Sequence, residues 1–111
     1  MMPRGTKEAE ALQLLGLARR AAAVATGTER TRQALRAGLA KLVLVAGDAS
    51  PVQLKKVEGI ASQKGIPTVV LGDRGVLGAA VGEPPLSAVA VTDAGFAHRL
   101  IERLRSEKEV S

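Results

Sequence analysis

The stretch GTERTRQALRAG, which begins at Gly27, holds the residues whose types and spacing best fit a chemical task. Gly27 and Thr28 predict a helix N-terminus, with Thr28 as a favoured N-cap. A helix N-terminus is the positive end of the macrodipole, so Arg30 and Arg32 are each unfavourable there by about 0.3–1 kcal/mol. Glu29 is the one acid in these first turns. Free backbone N–H groups at Gly27, Thr28 and Glu29, together with the two arginines, predict a phosphate-binding site.

The same stretch predicts how its helix is rotated. Successive residues turn by about 100°, so residues three and four apart share a face. The stripe predicted to be buried comprises Thr31, Ala34, Leu35 and Gly38. The side chains predicted to point outward are Glu29, Arg32, Gln33 and Arg36, with Arg30 at the margin. An ordinary amphipathic surface helix without a ligand is the alternative interpretation.

Residue sets that resemble catalytic, metal or cofactor sites have simpler explanations. The single histidine, His98, lacks a neighbouring ligand pattern and is predicted to lie at the surface. Ser50, Asp93 and His98 have the residue types of a hydrolase triad, but the GDASP segment indicates a helix start and not a nucleophile elbow. The glycines between residues 72 and 82 do not match GxGxxG and suggest close helix packing. We predict no catalysis, no metal and no cofactor.

Charge is concentrated in the first part of the chain. Residues 1–41 carry eight Lys or Arg against three Asp or Glu, a net charge of +5, whereas residues 42–111 carry eight of each sign. A basic surface of this kind is typical of proteins that bind polyanions. Phe96 is the only aromatic residue, which argues against base stacking on an aromatic platform.

Length and composition predict one domain over residues 1–111, with a core of about 7–105 and short tails, MMPRG and SEKEVS, that fray. The chain has no cysteine, which fits a reducing compartment, and no apolar stretch approaches the roughly 20 residues of a membrane span. We therefore expect a soluble, cytoplasmic protein that does not bind membranes. The sequence does not determine the oligomeric state, and a monomer is the default expectation.

The elements that must position the phosphate site alternate along the chain. Helices are predicted at residues 7–20, 28–37, from GDASP to 65, 73–82 and 93–105. Strands are predicted at residues 21–26, 41–46, 66–72 and 88–92, the middle two as buried strands. Asp48 or Ser50 would cap the third helix, with Pro51 at an early position. This alternation predicts an α/β fold with helices on both faces of a mostly parallel or mixed sheet.

The runs GTERTRQALRAGLAKLVLVAGDASP, KGIPTVVLGDRGVLGAAVG and SAVAVTDAGFA resemble the L7Ae ribosomal protein superfamily, in particular its bacterial YlxQ-type branch. The resemblance covers about residues 10–105 and keeps the order and spacing of the elements. It implies a three-layer α/β/α domain with a four-stranded mixed sheet that binds structured RNA. The typical target is a kink-turn with tandem sheared G·A pairs, in ribosomal or messenger RNA.

The resemblance also implies which residues meet the RNA. In the family, Asn, Glu and Lys at the helix N-terminus contact guanines and phosphates, and these positions are Glu29, Arg30 and Gln33 here. The residues at the guanine-contacting positions thus differ from those of the family. Glutamate can nevertheless accept a hydrogen bond from a guanine amino group, and arginine can donate to guanine O6 and N7. A loop after the fourth helix, here Glu83 to Ala88, would cover an extruded nucleotide through Leu86. The predicted RNA-binding residues are Gly27, Thr28, Glu29, Arg30, Arg32, Gln33, Arg36, Asp48, Leu86 and Ser87.

Two other functions compete with RNA binding. One is a protein-interaction module of the same fold without RNA activity, which the changed guanine-reading positions allow. The other is an accessory domain of an RNA-modifying enzyme, although 111 residues leave no room for a catalytic domain. Salt-dependent RNA binding would favour an RNA-binding protein. A protein partner that stays bound after ribonuclease treatment would favour the protein-interaction module.

Overall fold

The computed structural model describes residues 6–110, with side chains described for residues 7–105. The predicted N-terminal tail MMPRG lies outside the described residues. Helices and strands alternate in the order α1 (Thr6–Arg20), β1 (Val24–Thr26), α2 (Thr28–Arg36), β2 (Leu42–Val45), α3 (Pro51–Gln63), β3 (Thr68–Val70), α4 (Arg74–Ala80), β4 (Ala88–Val91) and α5 (Ala94–Val110). Within this part of the chain, no helix is long and apolar enough to cross a membrane.

The four strands form one mixed sheet in the order β1-β4-β2-β3. β2 and β3 are parallel, while β4 is antiparallel to both of its neighbours, β1 and β2. The central strands β2 and β4 are buried at every position, because helices cover both faces of the sheet. The predicted mixed sheet between helical layers is confirmed.

Alternate residues of the central strands face two separate apolar clusters. Leu42, Leu44, Val89 and Val91 pack with α1, α4 and α5 on one face. Val43, Val45, Ala88 and Ala90 pack with α2 and α3 on the other face. Since a strand alternates its side chains with a period of two, both faces must be apolar here. The fold is therefore a three-layer α/β/α sandwich.

The outer strands differ from the sequence prediction. The segment at residues 66–72 was predicted to be a buried strand, but β3 lies at the sheet edge and Val70 is 61% exposed. β1 begins at Val24, three residues later than predicted. The residues before it close α1, because the N–H groups of Ala21 and Ala23 donate to the carbonyl oxygens of Leu17 and Ala18.

The helix ends also shift by a few residues. α3 ends at Gln63, before the predicted Gly65, and its N-cap is Ser50 and not Asp48. α5 begins at Ala94 because Asp93 is its cap, accepting a hydrogen bond from the N–H of Phe96 at 2.9 Å. The helix continues to Val110, and the fraying expected for SEKEVS from residue 106 stays a prediction.

Gly78 allows the loop after α4 to cross close to that helix. A Cβ at this position would collide with the carbonyl oxygen of Pro84 and lie 2.9 Å from that of Glu83. Because backbone cannot move aside as a flexible side chain can, Gly78→Ala should destabilise the protein by about 1–3 kcal/mol. Urea denaturation measures the effect.

Gly59 provides the matched control. It lies inside α3, and nothing approaches within 4 Å of a Cβ built there. Gly59→Ala should therefore stabilise the protein by roughly 0.5–1 kcal/mol, through the higher helix propensity of alanine. Effects of the same sign and size at both positions would show that the close approach at Gly78 does not exist.

Candidate nucleic-acid interface

The N-termini of three helices lie at one edge of the sheet. β1, β2 and β3 run in the same direction, and β4 runs opposite to them. The strand ends on this side of the sheet are called the site edge. They are Thr26, Val45 and Val70, which end β1, β2 and β3, and Ala88, which begins β4. α2, α3 and α4 follow β1, β2 and β3 in the chain, so each begins next to the site edge. The positive ends of three helix dipoles therefore lie on the same side of the molecule.

Side chains cap two of these three N-termini. The hydroxyl of Ser50 accepts from the N–H of Gln53 at 3.3 Å in α3. The carboxylate of Asp73 accepts from the N–H of Val76 at 2.8 Å in α4. α2 has Gly27 as its N-cap, and no side chain in the described part of the chain caps it. Of the three, α2 is thus the one that lacks a capping side chain.

The free N–H groups of α2 are one residue further along than predicted. Thr28 was predicted to be the N-cap, but it is the first helical residue, and Gly27 precedes it with φ 98°. The N–H of Gly27 is not free, since it donates to the carbonyl oxygen of Ala88 at 2.9 Å. Within the described residues, the N–H groups of Thr28, Glu29 and Arg30 have no acceptor, and Thr31 makes the first intrahelical bond.

The predicted rotation of α2 is confirmed for the buried side of the helix. Thr31, Ala34 and Leu35 are buried, and Leu35 belongs to the cluster beneath α2 and α3. Gly38 was predicted to lie on the same stripe, but it is exposed. The helix has ended before this residue, and the N–H of Gly38 bonds to the Leu35 carbonyl oxygen in a closing turn with φ 76°.

The two arginines of α2 differ in their surroundings. Arg30 is exposed, as are Glu29, Gln33 and Arg36. Arg32 was predicted to point outward, but its side chain is only 25% exposed. Its Nη1 lies 2.8 Å from Oε2 of Glu29, and its Nε is buried without a hydrogen-bond partner within the described part of the chain. The Arg32 guanidinium therefore folds against the protein and holds the Glu29 carboxylate.

The loop between α4 and β4 lies beside the start of α2. A Cβ built on Gly27 would be 4.0 Å from Cδ2 of Leu86, whose side chain is half-buried. The carbonyl oxygen of Ser87 accepts from the N–H of Ala46 at 3.0 Å. The structure thus brings the predicted residues Leu86 and Ser87 next to Gly27, although about 60 positions separate them in the sequence.

Asp48 connects the loop after β2 to the start of α4. Its Oδ1 accepts from the N–H of Arg74 at 2.8 Å, and its Oδ2 lies 3.5 Å from Nε of Arg74. The hydrogen bond from the Arg74 backbone, followed by the charge of the guanidinium, lowers the pKa of Asp48. Lowering the pKa means that the contact is fully formed above the ordinary carboxyl pKa and is lost as the pH falls through the lowered value.

Arg74 is the residue at the site edge that sequence reasoning missed. Its backbone is fixed on both sides, because its N–H donates to Asp48 and its carbonyl oxygen accepts from the N–H of Leu86 at 3.0 Å. Its side chain is 53% exposed. The signal was present in the sequence: Arg74 is a cation in the first turn of a helix, the same unfavourable placement that identified Arg30 and Arg32.

The residues of the rejected hydrolase triad serve separate purposes. Ser50 and Asp93 cap α3 and α5. His98 is exposed, as predicted, and its Nε2 lies 3.4 Å from Oε2 of Glu102. Within the described residues, no group of three or more His, Asp or Glu is arranged to hold a metal ion.

Comparison with known proteins agrees with this architecture. Residues 9–101 match the model of the ribosomal protein L7Ae/L30e/S12e/Gadd45 family. The chain is 42% identical over 91 residues to the RNA-binding protein YlxQ of Bacillus subtilis, covering 82% of this chain and 91% of that protein. It is 34% identical over 102 residues to the large ribosomal subunit protein eL8 of Haloquadratum walsbyi, covering 90% of this chain and 85% of the relative.

Solved structures share the fold. A protein of unknown function from Bacillus halodurans C superposes with a TM-score of 0.80 at 36% identity, over 85% of this chain and 95% of that chain. The Giardia lamblia 15.5kD RNA binding protein superposes with a TM-score of 0.76 over the full length of both chains, and at 21% identity it shows the fold alone. On the family match and the identity to its relatives, the chain belongs to the ribosomal protein L7Ae/L30e/S12e/Gadd45 family.

Proposed function

We propose that this protein binds structured RNA in the cytoplasm, without catalysing a reaction, through the N-terminus of α2 and the loops around it. The observation that carries the proposal is that α2 has no capping side chain, whereas α3 and α4, which begin at the same edge, are capped. The names of its relatives, an RNA-binding protein and a large ribosomal subunit protein, support the same class of partner.

A phosphate group completes the start of α2. The unbonded N–H groups of Thr28, Glu29 and Arg30 are donors, and the helix dipole favours negative charge at this position. Arg30 is exposed beside them, and among the described residues the buried Nε of Arg32 has no hydrogen-bond acceptor. Arg30, in the first turn of α2, costs about 0.3–1 kcal/mol in the free protein, and an RNA phosphate would convert that cost into attraction.

Glu29 is in a suitable position to recognise a guanine. Its side chain is 65% exposed, and Arg32 holds one of its oxygens, Oε2. The other carboxylate oxygen remains available to accept a hydrogen bond from a guanine amino group, while Arg30 can donate to guanine O6 and N7. A guanine preference can therefore persist although the residue types differ from the family pattern. A kink-turn or a related internal loop, in ribosomal or messenger RNA, is the target we propose.

Leu86 supplies the apolar part of the site. It is half-buried against the core cluster that contains Leu77 and Val89, so that cluster supports one side of it. Its neighbour across the gap is Gly27, which has no side chain to cover it. The surface between Leu86 and the start of α2 can thus receive the flat face of an unstacked base, as proteins that read RNA loops often do.

Replacing the tandem sheared G·A pairs of a kink-turn by Watson–Crick pairs should weaken binding by about 1–3 kcal/mol for each lost base contact. The reason is that a Watson–Crick pair engages the Watson–Crick edge of the guanine, which a sheared pair leaves open to Glu29. Fluorescence anisotropy with the two RNAs at equal salt measures the difference. Equal affinity for both RNAs would mean that the protein reads charge and shape alone, and direct guanine readout would have to be abandoned.

A further inference from the structure

A basic groove lies between the C-terminal ends of α1 and α4, apart from the start of α2. It has a volume of about 480 Å³, and its lining includes Gly16, Leu17, Arg19, Arg20, Val81 and Gly82. The walls can approach because a Cβ built on Gly16 would lie 3.1 Å from the carbonyl oxygen of Ala80. Arg19 and Arg20 are exposed, and Leu17 is 50% exposed beside them.

The two arginines are not needed to cap α1. Cations near a helix C-terminus usually stabilise the last carbonyl groups. Here the backbone does so, because the N–H groups of the three alanines after the helix donate to the carbonyl oxygens of Leu17, Ala18 and Arg19 at 2.8–3.0 Å. Although the α1 dipole favours both charges at this end, the guanidinium groups of Arg19 and Arg20 are exposed and can contact a partner.

Among the described residues, no carboxylate neutralises this groove. Within the described part of the chain, Arg19 and Arg20 form no ion pair, and the residues that line the groove include no acid. Glu83 follows Gly82 in the chain, but its carboxylate is paired with neither arginine. The groove thus presents two adjacent positive charges, which complement a polyanion.

The groove lies near the proposed RNA site, although the two do not share a lining residue. Gly82 lines the groove, with its Cβ position 3.8 Å from Cζ of Arg19, and Leu86 lies next to Gly27 at the start of α2. Only four residue steps join Gly82 to Leu86, so the two are at most about 14 Å apart. That distance is a few nucleotide steps along an RNA strand.

We propose that this groove binds the phosphates of an RNA stem that flanks the internal loop held at the start of α2. The inference rests on the proposed function. It adds a second contact, whose contribution to affinity depends on the length of the stem and not on the bases of the loop. Arg19 and Arg20 contact the backbone, which positions the RNA without contributing sequence preference.

Two RNAs distinguish the contact at the groove from the contact at the start of α2. One is a kink-turn RNA with long flanking stems, and the other has its stems shortened to the few base pairs next to the loop. Arg19→Gln with Arg20→Gln should weaken binding to the long RNA by roughly tenfold at low salt and reduce its log–log salt slope by up to about two. The shortened RNA should bind this variant and the wild type alike.

Two further variants complete the experiment. Arg30→Gln with Arg32→Gln should weaken binding to both RNAs, and Arg19→Lys with Arg20→Lys should retain most of the affinity because it keeps the charge. Thermal unfolding of each variant shows whether it is folded. If the Arg19 and Arg20 glutamine variant binds the long RNA as the wild type does, the groove serves another partner, such as an acidic protein segment, and the proposal is wrong.

If the Arg19 and Arg20 glutamine variant lost equal affinity for the long and the shortened RNA, the proposal would also be overturned, because the shortened RNA has no stem for the groove to contact. Failure of the proposed function is recognised separately. In that case the wild-type protein would bind neither RNA, or the Arg30 and Arg32 variant would bind both with full affinity.

Discussion

Leu35→Ala should lower the free energy of unfolding by about 2–5 kcal/mol, as is typical of leucine removal from a closed core. Leu35 is fully buried in the cluster formed by α2, α3 and the central strands, where it packs with Val43, Val57 and Ala90. The substitution leaves a cavity beneath α2, bounded by the central strands and α3, and this close-packed interior relaxes only partly into it. Urea denaturation followed by circular dichroism gives the value.

Arg36→Ala is the matched control, because Arg36 is the next residue of the same helix and its side chain is exposed. Its backbone carbonyl, which accepts from Nζ of Lys64 at 3.4 Å, is retained in the variant. The free energy of unfolding should therefore change by less than about 0.5 kcal/mol. Small and equal effects at both positions would mean that α2 is rotated differently about its axis.

Arg30→Gln with Arg32→Gln should greatly reduce RNA affinity. Each phosphate hydrogen bond to a charged donor is worth about 1.5–3 kcal/mol, and each lost contact should reduce the log–log salt slope by up to about one. The loss should be largest at low salt, where counterion release contributes most. Binding titrations across a range of salt concentrations measure both quantities.

The stability of the free protein should change little in this double variant. Removing the Arg30 cation from the first turn of α2 gains about 0.3–1 kcal/mol, whereas Arg32, the fifth helical residue, lies beyond the turn in which the dipole acts. Against this gain, the Arg32–Glu29 ion pair is lost, which is worth about 0.3–0.5 kcal/mol for such a pair on a helix. Some packing of the half-buried Arg32 is lost as well. A large loss of affinity without a loss of stability would identify the arginines as ligand contacts.

Arg99→Gln with Arg103→Gln is the control for charge. These residues lie on α5, which packs on the face of the sheet opposite α2. Arg99 lies over the Phe96 ring at 5.1 Å, and Arg103 bonds to Glu10 at 3.0 Å. The net charge of the variant falls by the same amount, but RNA affinity should hardly change. If it falls as far as in the α2 variant, the protein attracts RNA diffusely and the α2 site does not exist.

The local pattern of the sequence predicted the face of α2 and the order of the elements well. Thr31, Ala34 and Leu35 follow helical spacing, and the three lie on the buried side as predicted. The same periodicity failed at Gly38, because a pattern of spacing does not show where a helix stops. The closing turn, in which the N–H of Leu39 reaches the Ala34 carbonyl oxygen, ends the helix before Gly38.

Features that depend on distant contacts were not predictable in the same way. The apolar run at β3 predicted a buried strand, but such a run does not distinguish a central strand from one at the edge. The bond from the Arg74 N–H to Asp48 joins residues 26 positions apart, and it depends on how two loops meet. The hydrogen bond from Gly27 to Ala88 likewise arises only when β4 lies beside β1.

Crosslinking of the protein to RNA in cells, with both the nucleotide and the amino-acid position of each crosslink read out, tests the RNA site at α2 most directly. We expect internal-loop RNA, crosslinked at residues 27–33 and at Leu86 or Ser87, beside the uncapped start of the helix. RNA fragments without a shared structure, crosslinked over α5 as often as over α2, would contradict a site at the start of α2.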